Sequence, residues 1–192
     1  LGVNASVFFI GKLLKEKEIY REALIIVTSD HGEAFFEHHQ IGHNHSNYNE
    51  MIHVPFLVKR PGQEKSVQIE QNFGLIDLAP TLLELLGLKQ REPMQGSSFS
   101  HLLLGRAPGP DHRFLYARTA SENHNISLIY REFKYINYFG REELFNLRVD
   151  PGERVNLIEN EVFLAGFLRQ KAFEQMALNI KMRDQYKIIV KK

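Results

Sequence analysis

Cysteine is absent from the 192 residues. That excludes disulfides, Cys-ligated zinc and a cysteine nucleophile within this chain, and leaves the redox compartment open. Net charge is nearly absent too, at +1. No strong field therefore argues for nucleic acid or an anionic membrane as partner. No apolar run is long enough to span a bilayer. Internal repeats and low-complexity tracts are lacking. An initiator methionine and a signal peptide are also lacking, since the chain opens at Leu1. The expectation is an excised piece of something longer, or a processed product. What is present is ordinary for a soluble globular protein: 43% hydrophobic and 24% charged residues. The length suits one domain with a real core.

The densest chemistry lies between Ala23 and Gly62. An apolar run rich in β-branched residues, Ala23 to Val27, predicts a short strand buried on both faces. It stops at Thr28-Ser29-Asp30-His31-Gly32, which puts an Asp and a His where a strand gives way to a loop. Ligands bind at the carboxyl ends of strands in open α/β sheets. A carboxylate oxygen and an imidazole nitrogen are both competent ligands for a divalent cation. Most of the nine histidines follow in the same stretch, at His38, His39, His43, His45 and His53. A second strand is expected over Val54 to Val58, with Pro55 near its start, ending at the turn signal Arg60-Pro61-Gly62.

Upstream, Val3 to Lys17 has helical spacing, with Val7, Phe8, Ile10, Leu13 and Leu14 on one stripe. Helix, loop and buried strand make one α/β unit. Downstream, Tyr48 to Ile52 is a short helix or turn, and Phe73 to Ile76 a short strand. Asp77 is a candidate N-cap for a helix over Leu78 to Leu86, with Gly87 just past its end. A further short helix covers Phe99 to Leu104. Ala107-Pro108-Gly109-Pro110 is a breaker and the best boundary in the chain. Beyond it the pattern changes to an antiparallel meander: Phe114 to Thr119, Asn125 to Tyr130, Phe133 to Tyr138 and Glu143 to Leu147, with turns at Arg131-Glu132 and Gly140. A long amphipathic helix follows from Glu161 to Arg183, offering Phe163, Phe167, Leu168, Phe173, Met176 and Ile180 for packing. Ile188 to Val190 is a last strand or a frayed tail.

Four motifs in this order carry a family resemblance. Ile25 to Glu33 (I-I-V-T-S-D-H-G-E) resembles the strand and metal loop of sulfatases, within the alkaline phosphatase superfamily. Gly42 to Glu50, followed by Ile52 to Phe56, resembles that family's H-G-H-S-L-Y-E-E-x-I-R-V-P-L segment. Ile76 to Gly87 is similar to its D-L-A-P-T-L-L-x-L-x-G helix almost letter for letter. Glu143 to Leu147, with Asp150-Pro151-Gly152-Glu153 and Asn156-Leu157, resembles its E-L-Y-D-L-x-x-D-P-x-E-x-x-N-L signature. Two departures stand out in the second motif: Asn44 replaces Gly, and Asn47 replaces an apolar Leu. The family's nucleophile motif, C/S-x-P-x-R, and the acidic ligands that accompany it lie upstream of the S-D-H-G loop and have no counterpart here.

The resemblance implies an α/β fold in two parts. Residues 1–110 would form the C-terminal part of the catalytic domain, adding strands and flanking helices to a mixed, largely parallel sheet. Residues 111–192 would form a small antiparallel sheet with the long helix packed on it. It implies that Asp30 and His31 are metal ligands, and that His43 and His45 contact the anionic substrate or protonate its leaving oxygen. The implied cofactor is one divalent cation, Mn, Zn or Ca; a nitrogen ligand favours Mn or Zn. Many calcium-dependent formylglycine sulfatases carry Asp-Asn at this point, whereas Asp-His resembles phosphonate monoester hydrolases and phosphoglycerol-type transferases. The expected function is a fragment of a metal-dependent sulfuric ester hydrolase, inactive alone. The alternatives are a fragment of a phosphoglycerol or phosphoethanolamine transferase or phosphodiesterase, and a non-catalytic binding module. Implied partners are a small-molecule or glycan sulfate or phosphate ester, the missing N-terminal half, and a second copy of the fragment; nucleic acid is not among them. The parent is expected in the periplasm, outside the cell, or attached to a membrane and facing outward. Glu37, His38 and His39 are expected on an exposed insertion.

Overall fold

The computed structural model describes residues 2–43, 46–90, 94–106, 112–119 and 125–190. Helix α1 (Gly2–Glu16) matches the predicted helix, but its apolar residues face outward: Phe8 and Phe9 are among the more exposed side chains of the chain. Strand β1 (Ile25–Thr28) is half-buried along its whole length rather than covered on both faces. It pairs with β4 (Phe56–Lys59), antiparallel, with Val27 opposite Leu57. The α/β class is as expected, but the parallel pairing foreseen for this sheet is not seen among the described strands, where β1 and β4 run antiparallel. The loop that follows α1 is tied back to β4 by the Lys59 ammonium, which donates to the carbonyls of Tyr20, Arg21 and Ala23. That satisfies three main-chain acceptors of a loop with no ladder of its own.

Between β1 and β4 lie a two-residue ribbon, β2 (Ala34–Phe35) with β3 (Ile41–Gly42), and the short helix α2 (Asn49–Ile52). The strand expected at Phe73 to Ile76 is absent. Leu75–Asp77 forms a 3-10 turn instead, leading into α3 (Leu78–Leu85). The cause is the buried Asp77 carboxylate. It accepts from the Gly74 N–H at 3.0 Å, the Ser97 N–H at 2.8 Å and the Arg113 guanidinium at 3.0 Å. Asp77 therefore closes the turn ahead of α3 and makes no side-chain cap on α3 itself. Phe56, Phe73 and Phe99 stack nearby, with Phe73 and Phe99 centroids 4.1 Å apart, and join β4 to α4 (Ser100–Leu103). The breaker at 107–110 lies outside the described residues.

The meander is as the pattern predicts: β5 (Phe114–Arg118), β6 (Asn125–Tyr130), β7 (Phe133–Tyr138) and β8 (Arg141–Asn146), antiparallel in sequence order. Positive φ at Arg131, Phe139 and Gly140 makes its tight turns. Helix α5 (Val162–Val190) packs on this sheet and runs through the segment expected as a tail. Its buried face is not the aromatic one. Ala165, Leu168 and Ala172 meet Ile126, Leu128, Tyr135 and Leu144, while Phe163 is 96% exposed and Phe173 and Ile180 are also exposed. The two alanines flank Leu168 at a spacing of three and four and let the helix approach the sheet, with Phe167 meeting Phe114 and Tyr130 at the edge of that stripe.

The four-stranded sheet and α2 meet at buried charge. Lys134 of β7 and Glu153, both fully buried, lie 2.7 Å apart. That approach is a charge contact rather than a well-aimed hydrogen bond, since Glu153 Oε1 lacks a directed donor. The other carboxylate oxygen accepts the Asn49 N–H at 2.6 Å, and the ammonium donates to Asn49 Oδ1 at 3.1 Å. Desolvation lowers the pKa of Lys134 and raises that of Glu153, and their mutual attraction counters both shifts only in part. Removing one member of such a pair strands the other charge without water. Lys134→Met is expected to lower the unfolding free energy by about 3–5 kcal/mol, and Lys134→Met with Glu153→Met to lower it far less. Urea unfolding of the three proteins checks this; equal losses in both variants would contradict it.

Candidate metal centre

Ser29-Asp30-His31-Gly32 leaves the end of β1 as a self-bonded turn. The Ser29 hydroxyl donates to the His31 carbonyl at 2.6 Å, and the Asp30 carboxylate accepts the His31 N–H at 3.1 Å. The Asp30 and His31 side chains point out of it, 87% and 44% exposed. His31 Nδ1 lies 2.8 Å from the Gly32 carbonyl. A carbonyl only accepts, so Nδ1 carries the proton and the neutral ring keeps its lone pair on Nε2. That nitrogen stands 3.9 Å from Asp30 Oδ2. An imidazole oriented by its own backbone, with its free lone pair beside a carboxylate, is the donor arrangement a divalent cation takes. The residues present fit a metal ion as two of its ligands. Among the described residues no group of three or more His, Asp or Glu converges to hold one unaided.

Of the four residues singled out from the sequence, three come together. His43 follows β3, and its ring centroid lies 4.8 Å from that of His31. Its Nδ1 is 3.1 Å from the Glu33 carboxylate. Glu33 is thus a partner for His43. His45 lies outside the described residues. Asp30 and His31 sit at the edge of an open cleft of about 950 Å³ that also touches Ser46, Asn47, Asp77 and Arg113. Asn47 is 4% exposed although it replaces an apolar residue of the family pattern. Turned to suit its neighbours, its amide donates to the Ser46 carbonyl and accepts the Ser127 N–H. That docks this segment on β6 in place of an apolar anchor.

Gly32 is confined by space rather than by φ. Its N–H donates to the Met51 carbonyl at 2.8 Å, and a Cβ there would collide with the carbonyl oxygen of Glu50. The turn that carries Asp30 and His31 therefore rests directly on the backbone of α2.

His38 departs from the exposed insertion expected of it. Its ring stacks on Tyr48 at 3.7 Å, Nδ1 meets Glu50 Oε1 at 2.8 Å, and Nε2 meets the Glu153 carbonyl at 3.2 Å. Glu37 and His39 beside it are exposed. Burial opposes the charged ring, but the Glu50 carboxylate, the Glu153 carbonyl and the charges of Glu50 and Glu153 outweigh it and raise the pKa above 6.5. Two acceptors facing two ring nitrogens are both satisfied only by the imidazolium. Sequence reasoning missed this link because the Glu153 partner is 115 residues away. A folded pKa above the unfolded one means stabilisation that is complete below about pH 6.5 and lost as pH rises through the folded value. The stability difference between the wild type and His38→Gln is expected to shrink from about pH 6 to about pH 9. Unfolding midpoints across that range check it; a difference that grows with pH would contradict it.

The family model for sulfatases matches residues 8–88. The chain is 29% identical to the delta 4,5-hexuronate-2-O-sulfatase of Bacteroides thetaiotaomicron over 82% of its own length and 35% of that protein's. It is 32% identical to arylsulfatase K of Gallus gallus over 75% of its own length and 29% of that protein's. The chain is a relative of the sulfatases over these stretches. Among solved structures, a 2-O GAG sulfatase superposes with a TM-score of 0.73 at 24% identity, covering 96% of this chain and 42% of that one. The phosphonate monoester hydrolase of Agrobacterium radiobacter gives 0.69 at 24% identity, covering 93% and 39%. These superpositions show that the fold is part of the alkaline-phosphatase-like architecture. The chain spans about a third of the length of the curated relatives it matches.

Proposed function

We propose that this chain is the C-terminal part of a metal-dependent sulfuric ester hydrolase, with Asp30 and His31 as two ligands of its divalent cation. The observation that carries the reading is the exposed pair at the end of β1, with His31 Nε2 presented 3.9 Å from Asp30 Oδ2. Donors of this mixed oxygen and nitrogen kind suit Mn or Zn, and Ca less well. When bound, the cation would withdraw charge from the ester oxygens and lower the pKa of the nucleophile. His31 offers its lone pair because its other nitrogen is held by the Gly32 carbonyl. His43, kept beside His31 and bonded to Glu33, is the group available to face an anionic oxygen or return a proton to the leaving one. His45, two residues on, belongs to the same reading.

The nucleophile and the remaining ligands belong to sequence outside these residues, so the chain alone is inactive in this reading. The substrate is a small-molecule or glycan sulfate ester, which the names of the relatives support. Phosphotransferase and non-catalytic readings gain no support from those relatives. The parent would act in the periplasm, outside the cell or on an outward membrane face. We read the division of the chain near residue 111 in the same spirit, with the catalytic portion before it and the sheet-plus-helix portion after. The exposed rings of α1 also make self-association of the isolated chain an expectation, to be read by light scattering across concentrations.

Aryl sulfate turnover tests the reading. The isolated chain is expected to show none, and the longer protein carrying the upstream motif to turn over in a metal-dependent way that Asp30→Ala abolishes. Turnover by the isolated chain, lost on Asp30→Ala, would overturn the fragment reading. Unchanged turnover by the longer Asp30→Ala protein would overturn the ligand assignment.

A further inference from the structure

We propose that Lys134 and Glu153 are positioning residues for the Asp30–His31 turn, acting across the chain through Asn49 and the backbone of α2. The chemical value of this link rests on the ligand reading above; its mechanics do not.

Helix α2 has four residues, too few to hold a helical conformation unaided. Its first residue is gripped from three sides. The Asn49 N–H goes to the Glu153 carboxylate at 2.6 Å, its side-chain oxygen receives the Lys134 ammonium at 3.1 Å, and its side-chain amide donates to the Pro151 carbonyl at 3.0 Å. Two residues later the Met51 carbonyl accepts the Gly32 N–H at 2.8 Å. The packing there leaves no room for a Cβ on Gly32, so the metal turn cannot shift without α2. Gly32 is next to His31, and its carbonyl is the one that sets the imidazole tautomer. The path from the buried pair to the lone pair of His31 thus runs through one side chain, one turn of helix and one backbone hydrogen bond.

The pair is not what a sheet core would choose for stability. Burial disfavours both charges, and apolar side chains of similar volume fill such sites at little or no loss. Its presence there fits a role in geometry. Glu153 also adopts φ 51°, a backbone setting unusual for a non-glycine residue, in the turn that delivers its carboxylate to Asn49.

Amide hydrogen exchange on the full chain tests this, comparing wild type, Glu153→Gln and the double variant Lys134→Met with Glu153→Met. The double variant guards against simple unfolding, because it leaves no unpaired charge. In the double variant the Gly32 amide is expected to exchange at least about tenfold faster, while Leu128 and Leu144 in the sheet keep their rates within about twofold. Unchanged Gly32 exchange in that folded variant would overturn the proposal. So would equal acceleration of Gly32 and Leu128, which would mean a global effect only. Mn²⁺ added to the longer protein carrying the upstream ligands, and to the same variants of it, separates the two claims. Broadening of the His31 ring signals that weakens in the variants supports both. No broadening in wild type, with Gly32 exchange still accelerated in the variants, overturns the ligand reading and leaves the mechanical link standing.

Discussion

A single backbone contact governs how the chain presents its chemistry: the Gly32 N–H on the Met51 carbonyl, in a space that admits no side chain. On one side of that contact is the turn with Asp30 and His31. On the other is a helix too short to stand alone, fixed at its start by Lys134, Pro151 and Glu153. Elements more than a hundred residues apart in sequence therefore set the position of two adjacent side chains. In the proposed metal-binding reading small shifts matter here, because a ligand pair displaced by an ångström would no longer share a cation.

The same logic explains where polarity is buried. Asp77, Asn47, Lys134 and Glu153 are nearly inaccessible, and each makes contacts between segments distant in sequence. Apolar burial is concentrated elsewhere, where Leu128, Tyr135 and Leu144 meet Leu168. The sheet and α5 supply a stable block, and polar contacts on its flank orient the less regular segment that carries the histidines. Non-directional burial stabilises, while directed polar contacts define angle and register.

Legibility in the sequence follows range. Helix α3 was readable because its apolar spacing and the glycine just past its end, Gly87 with positive φ, are local, and the meander because strand alternation and turn residues are local too. The place of Asp30 and His31, just past the end of β1, was readable from an apolar run giving way to polar residues. Failures lie where a distant partner decides. A strand was expected at Phe73 to Ile76, and the carboxylate of Asp77 folds that segment into a turn by reaching Ser97 and Arg113. The direction of β4 relative to β1 depends on the path of 27 intervening residues, 29–55, not on either strand. The face of α5 was read in part: Leu168 and Met176 pack as expected, but Ala165 and Ala172 take the core stripe while Phe163, Phe173 and Ile180 stay exposed, because close approach to a sheet favours the alanines. Lys134 had a signal of a kind, a lone cation inside a central strand, but its partner in Asp150-Pro151-Gly152-Glu153 looked like a surface turn.

The central claim is that the carboxylate of Asp30 and Nε2 of His31 grip one cation. Anomalous diffraction at the manganese edge, from crystals of the longer protein grown with Mn²⁺, addresses it most directly. The account predicts a peak within bonding distance of both atoms, about 2.0–2.3 Å. A peak elsewhere in the cleft, with Asp30 and His31 untouched, would contradict it.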